Sequence, residues 1–384
     1  MKVLIVPMSA MAETAGSFGR ATILANKLKE SGIDVALCAA EDMNYKKNEG
    51  IKNYALSIPV PLGLPEIIGR NTFPIAQKLG ITKIKAVNSF EDVLHLTGNI
   101  SYKYLKKSVH EIQEAIKDYK PDVIYSEFNI GAIIAGKLEN KKVFISASIP
   151  TQYEYNSTPK YATQLNKLLN ESGLPQVKSC LQLFSWADKK FIPSCYELEP
   201  FEDSNAVFCG TWKDVKKTDA KEKNKILVYM GNGTISKEKM VEEIVKAFQN
   251  SCYEVYVAGK GLNTQNIENI HIADRFDFSK LLPETVLFIN HGGQNSIIDG
   301  LIYGVPQIIC PGKVFERKYN AQSVVKNGAG IELFYKEFSA EVILKNAQKI
   351  INNKEYANNA LKLGNKLVSL GGVRNVANEI MQIK

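Results

Sequence analysis

The sequence has few features that would point away from a folded two-domain protein, and the absences narrow its chemistry. Its six cysteines, Cys38, Cys180, Cys195, Cys209, Cys252 and Cys310, include no Cys-x-x-Cys pair. That argues against a disulfide framework or a zinc site and suits reduced thiols in a cytoplasmic protein. No apolar run is long enough to span a bilayer. The first, Val3 to Met8, is interrupted by Pro7 and preceded by a single Lys2, so it reads as a buried strand and not as the core of a signal peptide. Two aspartates in the spacing Asp-x-Asp, which hold a divalent cation against a diphosphate, occur nowhere. The formal charge is +8, yet there is no dense Arg/Lys stripe interleaved with aromatics, and lysines alternate with glutamates along helical stretches. Nucleic acid is therefore not an expected partner, whereas a phosphate-bearing ligand or peripheral contact with an anionic membrane suits the charge.

What is present is a chain of 384 residues with 45% apolar and 23% charged residues, enough for two α/β domains. Apolar, β-branched runs at Val3–Val6, Val35–Ala39, Val123–Tyr125 and Val143–Ala147 alternate with helical patterns at Ala21–Ser31, Ile100–Lys117 and Ile130–Glu139. This alternation predicts a parallel sheet wrapped by helices. It restarts at Ile226–Met230 and continues through helix Lys237–Gln249, strands Val255–Ala258 and Leu287–Asn290, helix Gln294–Tyr303 and strand Gln307–Cys310. Between the halves, residues 213–225 are rich in Lys, Asp and Glu and lack an apolar face, as a linker does. The expected organisation is an N-terminal Rossmann-like domain over 1–212, a linker over 213–225, and a C-terminal Rossmann-like domain over 226–384. The two doubly wound domains face across a cleft, with the last helix packing back on the first. Pro59, Pro61, Pro65 and Pro74 break residues 55–80 into an apolar loop region, either a cap on the core or a wall for an acceptor.

The most informative stretch runs from Val286 to Pro306: a strand, His291-Gly-Gly-Gln-Asn-Ser296, then an amphipathic helix. His291 falls at the carboxyl end of a strand, where open parallel sheets bind ligands. Gly292 and Gly293 permit close backbone approach, and the following helix offers free N–H groups and its positive dipole end to an anion such as a diphosphate. The segment resembles the donor motif of the UDP-glycosyltransferases (glycosyltransferase family 1 and relatives). The likeness extends through Gly304-Val-Pro306, Pro311, Glu316-Arg-Lys-Tyr-Asn-Ala321 and Gly328-Ala-Gly330, and upstream through Gly231-Asn-Gly-Thr234 and Phe276 to Pro283. It covers roughly residues 205 to 335; the first half matches only in strand order, an Ala25/Leu28/Gly32 helix pattern and Pro121-Asp122.

The resemblance implies a GT-B architecture and a metal-independent hexosyltransferase. Such an enzyme moves a sugar from a nucleoside diphosphate sugar, UDP-linked or dTDP-linked, to a small-molecule or lipid acceptor with inversion, and has no cofactor apart from the donor. His291, Asn295 and Ser296 would contact a donor phosphate with Gly292 and Gly293 beside it, Gly233 and Thr234 would meet it from the opposite loop, and Phe276 would flank the base. Asp299 would hold the ribose where the family has Glu. Glu316 and Arg317 occupy the pair that reads the sugar hydroxyls. Arg for the family's Gln is a departure, and its fixed charge raises an anionic or amidated sugar.

The acceptor side is less explicit. The family's base position falls on Ser17, which cannot act as a free base near neutral pH, while the position of its partner acid falls on Glu127. Glu127 is a candidate base at the end of a strand, or else the cap of helix Ile130–Glu139; Glu13 and His95 are rivals, and Arg20 is placed to bind an acidic acceptor. A non-hydrolysing sugar-nucleotide epimerase and a non-catalytic nucleotide-sugar-binding subunit are the alternative readings.

Overall fold

The computed structural model describes residues 1–9, 16–61, 86–213, 222–231 and 234–382. Glu13, Gly233, most of the proline-punctuated 55–80 stretch and the centre of the expected linker lie outside them. Two seven-stranded sheets form the frame. The first is built from β1 (Lys2–Pro7), β2 (Asp34–Ala40), β3 (Lys52–Leu56), β4 (Val123–Glu127), β5 (Lys142–Ser146), β6 (Lys189–Ile192) and β7 (Ala206–Phe208). Its order is β3-β2-β1-β4-β5-β6-β7, and every pairing is parallel. The second comprises β8 (Lys225–Tyr229), β9 (Glu254–Ala258), β10 (Gln265–Ile267), β11 (Ile270–Ala273), β12 (Thr285–Asn290), β13 (Gln307–Ile309) and β14 (Gly330–Glu332). Its order is β10-β11-β9-β8-β12-β13-β14, with only β10 antiparallel.

Each central strand is buried on both faces, which is why it reads as an unbroken apolar run. Leu4, Val6 and Ile124 pack on one face of the first sheet against helices Tyr102–Tyr119 and Ile130–Leu138. Val3, Ile5 and Tyr125 pack on the other, against helix Ser17–Glu30 and the last helix, Gly372–Met381, through Val376, Ala377 and Ile380. The chain thus returns from the second sheet to finish the core of the first. A further apolar cluster joins Cys195 and Leu198, just beyond β6, to Ile297, Ile298, Leu301, Ala321 and Val324. Across the same seam Tyr319 Oη and Ser323 Oγ donate to the Leu198 carbonyl at 3.2 and 2.6 Å. Among the described residues no helix is long and apolar enough to cross a membrane. Five cysteines are buried, Cys252 is exposed, and all six are free.

Candidate donor and acceptor site

Both sheets reverse their strand order beside a central strand, β1 in the first and β8 in the second. The crevices that open there, at the carboxyl ends of β1/β4 and of β8/β12, are where ligands bind in folds of this kind.

In the second sheet Tyr229 and Asn290 stand in register at that edge. Asn290 is fully buried; its Oδ1 accepts from the Gly292 N–H at 2.9 Å and its Nδ2 donates to Gln307 Oε1 at 2.8 Å. Gln307 in turn donates to the Ile297 carbonyl at 2.9 Å, so strand, turn and helix Gln294–Ile302 are tied together. Gly292 has φ +80°, and a Cβ there would lie 3.0 Å from the Arg317 carbonyl oxygen. Asn320 Nδ2 donates to the Gly292 carbonyl at 2.9 Å. Only glycine fits a turn pressed this closely against the helix Phe315–Lys326. Gly293 caps helix Gln294–Ile302 with no side-chain bond, and no acid stands in its first turn. Its N–H groups and dipole are therefore directed at the crevice without competition from the chain.

The His291 ring lies edge-on to Tyr229 with centroids 5.5 Å apart, and Nδ1 faces the Tyr229 carbonyl at 3.4 Å. Burial, together with the nearby Arg317 cation, pushes its pKa down to about 3, so the imidazole is neutral at physiological pH. Gly231 lies against the same ring: a Cβ at that position would sit 3.1 Å from its Cε1. Ser296 is buried and Asn295 exposed at the start of the helix. Thr234 abuts Gly312 so closely that a side chain at 312 would collide with its hydroxyl. Phe276 meets Tyr256 edge to face at 5.3 Å, and Tyr229 meets Phe278 at 5.4 Å, making an aromatic wall beside the crevice. Asp299 is 16% exposed and ion-paired with Lys213; its burial raises its pKa despite that pair. The structure thus brings His291, Gly292, Gly293, Ser296 and Arg317 to one strand edge.

The equivalent edge of the first sheet is built differently. Pro7 and Glu127 stand in register there. Glu127 is fully buried, with Oε1 accepting from Arg20 Nε at 2.6 Å and Oε2 accepting from Ser146 Oγ. The carboxylate expected to face the cleft as a base is thus enclosed, with both oxygens engaged by the chain. It is not the cap of helix Ile130–Leu138 either, since Asn129 accepts from the Ala132 N–H in that role. Ser17 Oγ accepts from the Met8 N–H and donates to the Glu127 carbonyl, both at 3.0 Å, stitching the β1 loop to β4. His95 is exposed and stacks on Tyr161 at 4.5 Å.

One residue that sequence reasoning misses is Glu199, in the turn after β6. It is 4% exposed and accepts from the Ile149 N–H at 2.8 Å. Burial, reinforced by Glu316, raises its pKa to about 7, against the lowering effect of the Ile149 and Ser194 hydrogen bonds and of Arg20. Arg20 also feels Glu316 across the cleft. Arg20, Glu127, Glu199 and Glu316 therefore form one polar cluster that bridges the two halves. Glu199, in the turn Tyr-Glu-Leu-Glu-Pro, carries no local signal of this, because its hydrogen-bond partner Ile149 and the charges of Arg20 and Glu316 are remote in sequence.

Comparison with known proteins agrees with this geometry. Residues 243–383 match the family model described as erythromycin biosynthesis protein CIII-like, C-terminal domain. The NDP-glycosyltransferase YjiC of Bacillus subtilis (strain 168) is 23% identical over 299 residues, covering 70% of this chain and 74% of that protein. The demethyllactenocin mycarosyltransferase of Streptomyces fradiae is 24% identical, covering 68% of this chain and 63% of its own length. Among solved structures, the spinosyn rhamnosyltransferase SpnG superposes with a TM-score of 0.72 over 100% of both chains at 15% identity. The calicheamicin glycosyltransferase CalG4 gives 0.73 over 99% of this chain and 97% of its own, also at 15% identity. With two doubly wound sheets and a glycine-lined crevice at the second switch point, the chain has the GT-B architecture of these solved glycosyltransferases, and its residues 243–383 resemble the C-terminal domain of the erythromycin biosynthesis protein CIII-like family.

Proposed function

We propose that the chain transfers a hexosyl group from a nucleoside diphosphate sugar to a small-molecule or lipid acceptor, with inversion and without a metal ion or separate cofactor. The observation that carries this reading is the crevice at β8/β12, where glycine backbone, a neutral His291 and an uncapped helix N-terminus converge. In the reaction an acceptor oxygen bonds to the anomeric carbon, the bond from that carbon to the diphosphate breaks, and the acceptor proton leaves to a base or to solvent. The diphosphate departs as an anion held by the second half. The relatives' names support a glycosyl donor, and a fold neighbour bound to thymidine diphosphate keeps dTDP beside UDP as a nucleotide to test.

The test has two arms. With a chelator present, UDP or dTDP at 100 times its dissociation constant should stabilise the fold by about 2.7 kcal/mol. Stabilisation that appears only with magnesium or manganese sinks the metal-free reading. Donors incubated with a panel of hydroxylated acceptors and read by mass spectrometry should then give an adduct of one hexosyl mass. Sugar isomerisation with no acceptor present would instead identify an epimerase.

A further inference from the structure

We propose that Arg317 supplies the full positive charge that holds the donor diphosphate and stabilises it as it leaves, a part that a divalent cation plays in other diphosphate sites. This rests on the reading of the chain as a nucleotide-sugar enzyme and assigns within that site a group whose position implies a neutral sugar-binding amide.

The placement comes first. Arg317 lies in the first turn of helix Phe315–Lys326, and its backbone is pressed on the glycine turn, its carbonyl oxygen 3.0 Å and its Cβ 3.3 Å from where a Gly292 Cβ would be. Its guanidinium is close enough to His291 and Tyr229 to act on both electrostatically, which places it at the carboxyl ends of β12 and β8, where the helix Gln294–Ile302 begins. Glu316, the adjacent residue, is exposed and coupled also to Arg20 and Glu199 across the cleft. Glu316 acts on the Arg317 guanidinium through its charge, but successive helical side chains diverge and the two form no ion pair.

Pairing comes second. Among the described residues Arg317 makes no ion pair, whereas the other cleft arginine, Arg20, is bound to Glu127 at 2.6 Å. A half-buried cation with no close ion pair is unfavourable, and burial lowers the Arg317 pKa below its ordinary value despite the opposing electrostatic effects of Glu316 and Tyr229. Such a group is stabilised by an incoming anion, and a guanidinium matches phosphate oxygens in a two-pronged way.

Charge comes third. His291 is neutral and donates at most one hydrogen bond without a countercharge. The helix terminus contributes roughly half an elementary charge. A diphosphate that gains charge as its glycosyl bond breaks needs more than that, and Arg317 brings a fixed cation to this edge.

The test compares ligands that differ only in phosphate, in the intact chain with chelator present. Dissociation constants for uridine, UMP and UDP are measured by calorimetry for the parent, Arg317→Lys and Arg317→Gln. Arg317→Gln should weaken UDP by about tenfold or more while leaving uridine within about twofold, and Arg317→Lys should recover part of the loss. Equal weakening of uridine and UDP would overturn the proposal by showing a packing effect. Unchanged UDP affinity, with a lost preference between UDP-glucuronate and UDP-glucose, would overturn it by placing the cation on the sugar. A parent chain that binds no nucleoside diphosphate would overturn the functional reading itself, an outcome separate from any response of the variants.

Discussion

At the first switch point Pro7 sits in register with Glu127, and at the second Tyr229 sits in register with Asn290. The two edges are topological equivalents with opposite fillings. The first is closed by the chain's own side chains: Arg20 on Glu127, Ser146 on Glu127, and Ser17 across the loop. The second is lined by Gly231, Gly292, Gly293 and a neutral imidazole, and its arginine has no ion-pair partner among the described residues. The buried charges of the first edge are met by close hydrogen-bonded partners, while the arginine of the second feels the charge of Glu316 without a close ion pair. One edge is filled by its own side chains and the other is left as a glycine-lined crevice, so substitutions at the two edges should fail in different ways.

The largest effect is expected at Glu127. Removing it in Glu127→Ala leaves Arg20, 18% exposed, as a buried unpaired cation and strips Ser146 of its acceptor. Loss of one partner of a buried pair costs about 3–5 kcal/mol, read as a lowered denaturation midpoint. Arg317→Met on the other side should change stability by less than about 1 kcal/mol, since it removes a charge that makes no close ion pair among the described residues. The milder Glu127→Gln separates structure from chemistry. If Glu127 holds Arg20, the variant loses stability and its residual turnover follows the folded fraction. A stable Glu127→Gln that binds UDP normally but turns over about a hundredfold more slowly would restore it as the base and break the comparison.

The two edges should also respond to acid with opposite signs. Glu199 has a folded pKa of about 7, above the ordinary carboxylate value, so its stabilising contribution is complete below that ordinary value and is lost as pH rises through about 7. The loss amounts to about 3 kcal/mol as an upper figure. His291 has a folded pKa of about 3, below its ordinary value, so its contribution is present at neutral pH and lost as pH falls towards 3. Between about pH 4.5 and 6.5 the two oppose each other, and the parent's stability should be nearly flat there. Glu199→Gln should expose a falling limb towards acid, and His291→Asn a falling limb towards neutral pH. Denaturation midpoints across that range that are unaltered by either substitution would remove both groups from the balance.

What can be read from the sequence follows from how local the cause is. The strand, double glycine and helix at 285–302 are consecutive in the chain, and their φ and capping requirements are written in the residue types themselves. The parallel sheets are legible for the same reason, because strands buried on both faces are apolar throughout. Edge strand β3, Lys-Asn-Tyr-Ala-Leu, carries no such run and is not separable from a loop by pattern. Helix Ser17–Glu30 begins four residues before the expected Ala21, since Gly16 provides no capping side chain to mark the start. The first edge is less legible because its contacts are remote in sequence: Arg20 meets Glu127 at a separation of 107 residues, and Glu199 accepts from Ile149 fifty residues away. Periodicity says which face is apolar and nothing about which carboxylate will find a guanidinium.

The smallest effect expected concerns Asp299, where the open edge carries a bond resembling those of the closed one. Its carboxylate is paired with Lys213, which is 42% exposed and precedes the stretch joining the two sheets. If Asp299 holds the ribose, it must exchange the ammonium for two hydroxyls when nucleotide arrives, and Lys213 is then a competitor. A half-exposed pair of this kind contributes at most about 1 kcal/mol. Lys213→Gln should therefore leave the melting temperature nearly unchanged and tighten UDP by roughly two- to fivefold, the equivalent of about 0.5–1 kcal/mol. The gain should be smaller for 2′-deoxy-UDP, which offers the carboxylate one hydroxyl instead of two. An equal response to UDP and 2′-deoxy-UDP would detach Asp299 from the ribose and leave Lys213–Asp299 as a clasp on the linker, making this corner of the second edge self-neutralised like the first.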